Sequence, residues 1–308
     1  MSQAIRGVLG VCFVAFLVHL IPLFLPRNLP EQELAIARAT PEARNRVPVL
    51  KPLKNHPKAT GAELREAAEL LLEGAPADAR ELLDEADRRE PGLVETHLLR
   101  ARICRLERMD RCVRESFEAA VRLAPGDARP DVLWADMREQ DGDLAGAVEA
   151  LDRARKKAPE NLALHLRYSK LLSAAGRAEA AEKVLWELEP RLSKEKLFLE
   201  LGELRGKEGR NEEARVFFAR AVAEGPRSAV AHYHLGVAQF RLGEVDKAEE
   251  ELREADRLNV ADPRPLATLC AMQMKAGRHE AALVTKMDLE RRFQGQAELI
   301  REACRQSR

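Results

Sequence analysis

The chain has 308 residues, with 51 Lys plus Arg against 51 Asp plus Glu, so the basic excess expected of a nucleic-acid binder is missing. Ala, Leu, Arg and Glu dominate, aromatics are only 4%, and Val and Ile are too scattered for several buried strands, which leaves an all-α chain. The five cysteines, Cys12, Cys104, Cys112, Cys270 and Cys304, show neither a CxxC pair nor a short zinc spacing, and a chain this long needs no disulfide framework.

The first element is apolar. GVLGVCFVAFLVHLIPLFLP, from Gly7 to Pro26, holds no Asp, Glu, Lys or Arg, and twenty helical residues reach roughly 30 Å, the thickness of a hydrocarbon core. Residues 1–26 are therefore expected to be a membrane anchor. A cleaved signal peptide is the rival reading, but no small-x-small site follows the run closely. A lipoprotein reading at Cys12 suffers from Val11, which stands where a small residue is needed. Only Arg6 and the amino terminus precede the run, whereas Arg27, Arg38, Arg44 and Arg46 follow it, a count that favours a cytosolic C-terminal part. Large domains translocate despite such charges, and a hydrophobic start at residue 7 resembles many bacterial inner-membrane export anchors; both sides stay open. Residues 27–59 carry Pro30, Pro41, Pro48, Pro52 and Pro57 and are expected to be a spacer, because proline removes amide donors and breaks helical runs.

A period governs the rest. Gly74, Gly142, Gly176, Gly209, Gly243 and Gly277 are spaced by 68, 34, 33, 34 and 34 residues, with Arg108 at the missing step. Five positions later come Ala79, Val113, Ala147, Ala181, Ala214, Ala248 and Ala282. Seven units fit between residues 60 and 293, each predicted to be a helix of about 13 residues, a tight turn, and a second helix whose alanines permit close approach. Neither helix of a unit can bury its apolar face alone, so units must stack. Residues 294–308 are too short for another unit and are expected to form a capping helix, with Cys304 a packing or exposed thiol. Cys104 and Cys112 could meet across a hairpin and are read as reduced, packed residues.

The unit Ala229–Asp262 carries Leu235, Gly236, Gly243, Ala248, Leu252 and Ala255, and the unit from Glu195 carries Phe198, Leu201, Gly202, Gly209, Ala214, Phe218, Ala221 and Pro226. In these residues the chain resembles the tetratricopeptide repeat (TPR) family. That resemblance implies a right-handed superhelical solenoid of about seven helical hairpins, added to the N-terminal transmembrane helix, and a groove lined by the first helix of each unit. Carried onto this sequence, the groove positions include Arg102, Lys170, Glu203, Lys207, Tyr233, Val237, Phe240, Arg241, Met274 and Lys275. The residues expected to bind protein are Tyr233, Val237, Phe240, Arg241, Lys207, Met274, Arg102 and Lys170. Tyr233, Val237 and Phe240 lie broadly on one helical face and suit an apolar or aromatic segment of a partner. Family members that bind chaperone tails need Asn at the ninth position of the unit, where this chain has Ala68, Arg102, Asp136, Lys170, Glu203, Val237 and Ala271.

No phosphate loop, GxSxG elbow or HExxH motif is present. His232 and His234 are two apart on a helix and point away from each other, a poor metal pair. His97, His165 and His232 instead share one position in the unit and are expected to pack. The expected function is a non-catalytic, membrane-tethered scaffold that binds proteins or peptide segments and takes no cofactor, metal, nucleic acid or small-molecule substrate. Assembly of a bacterial envelope complex is its setting. The alternative is a membrane-bound co-chaperone that holds unfolded or newly exported clients.

Overall fold

The computed structural model describes residues 29–305; the apolar run at 7–26 lies outside them. Among the described residues there is no strand, and no helix is long and apolar enough to cross a membrane. The chain divides into two compact units, residues 1–134 and 135–308.

In the first unit, the expected spacer is corrected. Helix α1 (Pro30–Ala39) and helix α2 (Ala43–Leu50) are followed by a 3-10 turn, Lys51–Asn55. The prolines permit this because of where they stand. Pro30 and Pro52 occupy first turns, where an amide has no intrahelical partner, and only Pro48 falls inside a helix. Leu34, Ala37, Leu50, Leu53 and Ala59 are buried in one core with Leu64, Leu71, Leu82 and Leu83 of the next hairpin, α3 (Gly61–Leu71) and α4 (Pro76–Arg89). Arg46 donates to the carbonyls of Thr40 at 2.7 Å, Pro41 at 3.0 Å and Leu70 at 3.0 Å, tying α2 to the end of α3. Thr60 starts α3 with a capping box, its hydroxyl accepting from the Glu63 amide while the Glu63 carboxylate accepts from the Thr60 amide.

Helices α5 (Val94–Leu106) and α6 (Asp110–Leu123) form the next hairpin. Cys104 and Cys112 are joined across it by a disulfide, with Cα atoms 5.9 Å apart, which corrects the expectation of two reduced thiols. Their eight-residue separation spans the turn and brings the two Cβ atoms face to face. Helix α7 (Arg129–Gln140) contains the division between the units.

The second unit continues with α8 (Leu144–Lys157), α9 (Leu162–Ala174), α10 (Ala178–Glu187), α11 (Lys194–Lys207), α12 (Asn211–Glu224), α13 (Ala229–Arg241), α14 (Val245–Leu258), α15 (Arg264–Lys275) and α16 (His279–Arg292). Small residues set the hairpin spacing. A Cβ on Gly236 would lie 2.9 Å from Leu252 and 3.1 Å from the Ala248 carbonyl oxygen, so α13 and α14 approach more closely than any side chain there allows. Ala248 and Ala255 on α14, like Ala214 and Ala221 on α12, are fully or almost fully buried. The turn glycines Gly142, Gly176, Gly209, Gly243 and Gly277 all adopt φ between 72° and 80°. The last helix, α17 (Ala297–Ala303), buries Ile300 against Leu266, Leu269 and Met272 of α15, and Cys304 is disulfide-bonded to Cys270. That bond corrects the reading of Cys304 as a free thiol: the capping helix delivers it to Cys270, one repeat length upstream.

Candidate protein-interaction face

Within the second unit, the first helices of four successive hairpins, α9, α11, α13 and α15, carry a row of polar and aromatic groups. Three of these helices start on a side-chain cap. Asn161 accepts from the Leu164 amide at 3.3 Å, Ser193 from Lys196 at 3.2 Å and Ser228 from Ala231 at 3.3 Å. The caps fix where each helix begins, and so which side chains fall at matching depths along successive helices.

The row opens on α9. Lys170 Nζ lies 3.2 Å from Glu200 Oε2 and 3.5 Å from Glu203 Oε2 of α11, and Lys196 reaches the other Glu200 oxygen at 2.8 Å. Glu200 is only 3% exposed; two ammonium groups compensate a carboxylate that burial would otherwise penalise heavily. Burial works against the Lys170 charge, but Glu200 and Glu203 outweigh it and hold its pKa above the ordinary lysine value. Lys170 and Lys207 both line a small cleft between α9 and α11, together with Ser169, Ser173, Glu200 and Glu203.

On α13, His234 Nε2 stands 3.8 Å from Glu203 Oε1. The imidazole stacks on Phe218 with centroids 5.2 Å apart and meets the Tyr233 ring edge-on at 5.3 Å. Burial lowers the His234 pKa below the ordinary histidine value, with Glu203 opposing it and Arg264 assisting. The Tyr233 hydroxyl lies 3.4 Å from that of Thr268 on α15, and the Arg264 guanidinium sits 5.6 Å from the Tyr233 ring centre. Phe240, the penultimate residue of α13, has the Lys275 ammonium 5.9 Å from its ring centre. Each of these two aromatics thus combines a half-buried ring with a nearby cation, an arrangement suited to aromatic or acidic side chains.

The eight residues expected to bind protein separate as follows. Tyr233, Phe240 and Met274 are half-buried against the core that contains Leu252 and Leu269; Val237 is half-buried between the two aromatic positions on α13. Arg241 is exposed and donates to the Gly206 carbonyl at 3.4 Å, and Lys207 is exposed one residue farther along α11. Lys170 belongs to the charged end of the row. Arg102 stands in the other compact unit, paired with Glu69 at 2.8 Å.

Several participants escaped the sequence reading. Glu200, His234, Arg264 and Thr268 were not singled out for this face, and neither was Arg167, which pairs with Asp136 at 2.5 Å and also with Glu139. One signal was available: Lys170 and Glu203 are oppositely charged and about one repeat apart, as are Arg102 and Glu69.

Two histidines of the shared position, His165 and His232, are structural. His165 Nε2 lies 3.0 Å from the Pro159 carbonyl oxygen, and His232 Nε2 lies 3.2 Å from that of Pro226, in each case six residues upstream. The His232 Nδ1 atom also meets Glu251 at 2.5 Å. They bridge each first helix to the loop that precedes it.

Residues 139–195 and 207–272 match the family model described as tetratricopeptide repeat. No curated protein matches the sequence. Among solved structures, the chain is similar to a tetratricopeptide repeat protein from Parabacteroides merdae, at 17% identity and TM-score 0.53, over 79% of this chain and 97% of that one. It is also similar to the C-terminal part of a TPR repeat-containing protein from Cytophaga hutchinsonii, at 12% identity and TM-score 0.52, over 76% of this chain and 96% of that one. A third likeness, to yeast Tom70, has 13% identity and TM-score 0.53 over 90% of this chain and 63% of that one. Within those matched residues the repeats are tetratricopeptide repeats, and these structures share the fold of the chain.

Proposed function

We propose that this tetratricopeptide-repeat protein is a membrane-tethered, non-catalytic scaffold that holds a segment of a partner protein on the first-helix face of its second unit, in the assembly of a bacterial envelope complex. The observation that carries the reading is the continuous row from Lys170 through Glu203 and His234 to Tyr233, Val237 and Phe240. It joins an ion-paired end to a half-buried aromatic end on successive helices. An extended segment with apolar or aromatic residues toward one end and charges toward the other would match it, the rings giving affinity and the charges giving orientation. Tethering through residues 7–26 would concentrate the scaffold and its partners at one bilayer.

The two disulfides support placing the repeats on the oxidising side of the membrane. The positive-charge count favours the opposite side, but that rule is weak for long translocated domains, whereas a reducing cytosol acts directly on a disulfide.

Mild crosslinking of the full chain in its native membrane, followed by identification of what is captured, tests the proposal. A few stoichiometric membrane partners are expected, and the Tyr233→Ala plus Phe240→Ala variant should recover them at least about tenfold less, as loss of two central aromatic anchors implies. Since both rings also pack against α15, exposed Arg241→Glu serves as the variant that leaves the core untouched. Undiminished capture by both variants, with helical content intact, would reject this face. Many unrelated, weakly held clients would indicate a holding chaperone instead.

A further inference from the structure

Helix α16 presents an apolar stripe to solvent on the side opposite the core. Ala282, Thr285 and Leu289 face inward and are buried, whereas Leu283 is 58%, Val284 68% and Met287 61% exposed. These are among the most exposed large apolar side chains of the described residues, and they sit within two turns of one helix. Glu280 precedes Val284 by four residues, and Arg291 follows Met287 by four. At 100° per residue, Glu280, Val284, Met287 and Arg291 fall within a 60° arc, so they form one line along the helix.

The order of that line is negative, apolar, apolar, positive. Laid antiparallel on itself about the midpoint between Val284 and Met287, it places Glu280 against Arg291 and Val284 against Met287, twice over. A parallel arrangement would set Glu280 against Glu280 and Arg291 against Arg291. Arg291 can serve such a contact at little cost: its present partner Asp288, at 2.6 Å, also accepts from Arg292 at 3.3 Å and would remain paired. We propose that the exposed face of α16 docks on the same face of a second copy of this chain, forming an isologous antiparallel helix pair. The contact uses a second helix, so it leaves the first-helix face free and does not depend on that face binding anything.

A single helix crossing buries less than the roughly 1,200 Å² of a stable standard interface, so the pair should be weak and concentration-dependent. The test is sedimentation equilibrium of the full chain in mild detergent across a wide range of protein concentrations. The average mass is expected to rise toward that of a dimer. Val284→Lys should abolish the rise, and Glu280→Arg or Arg291→Glu alone should weaken association by about tenfold, since each sets like charges together twice. The chain carrying both charge reversals should recover association to within about threefold of the starting protein, because the complementary pairing is rebuilt. All three positions changed are exposed, so circular dichroism and the melting midpoint should stay unchanged. A chain that stays monomeric overturns the proposal. So does a mass increase that Val284→Lys leaves intact, or a double reversal that fails to rescue.

Discussion

At the turn between α5 and α6, Arg108 adopts φ 57° where five later turns use glycine at φ between 72° and 80°. A side chain in the left-handed region is strained by contact between its Cβ and the following carbonyl, and Arg108 is exposed, so its side chain gives no packing in return. Arg108→Gly is expected to stabilise the first unit by about 0.5–1 kcal/mol, the backbone relief exceeding the added entropy of the unfolded chain. Urea unfolding followed by circular dichroism would read it, and a lowered midpoint would show that the Arg108 side chain contributes more than its exposure suggests. The residue-level pattern of the sequence was informative here, since Arg108 occupies the place the period assigns to a turn residue. It misled at Gly74. That glycine is in register but is not left-handed; a Cβ there would lie 2.4 Å from the Ala43 Cβ, so its absence makes room for α2. Spacing locates such a position, but only the neighbour that packs there says which property of glycine is used.

Among elements, the repeated hairpins were legible because each restates the same small and apolar residues at one period, and agreement between units identifies them. Helices α1 and α2 belong to no period, and their prolines obscured them. Their apolar residues nevertheless lie at helical intervals, and Leu50 is fully buried in the core of the first unit. Leu50→Ala should therefore destabilise the first unit by about 2–5 kcal/mol, the range for emptying a leucine site in a packed core. Hydrogen exchange should quicken in α2 and α3 together; unchanged exchange in α3 would restore the spacer reading. The side chains gathered on the candidate face were legible to a similar extent. Tyr233, Val237 and Phe240 follow from helical periodicity and the family resemblance, whereas Glu200, His234 and Arg264 act through neighbours on other helices, which no single-helix pattern reveals.

For the whole molecule, the proposed tether leaves a choice between the two sides of a membrane, and that choice turns on chemistry that composition does not display. Cys104 and Cys112 are eight residues apart and Cys270 and Cys304 are 34 apart, and only folding brings either pair within bonding distance. Two bonds of this kind would each be expected to contribute about 2–4 kcal/mol under oxidising conditions and nothing in a reducing cytosol. If the repeats face the oxidising side, a bulky maleimide added to denatured membranes should label these four thiols only after reduction. Protease added to cells with an opened outer envelope but an intact inner membrane should digest the repeats. Labelling of all four without prior reduction, together with protease resistance until the inner membrane is broken, would put the repeats in the cytosol. The partner face would then be offered to cytosolic proteins, and Cys304 would no longer hold α17 to α15.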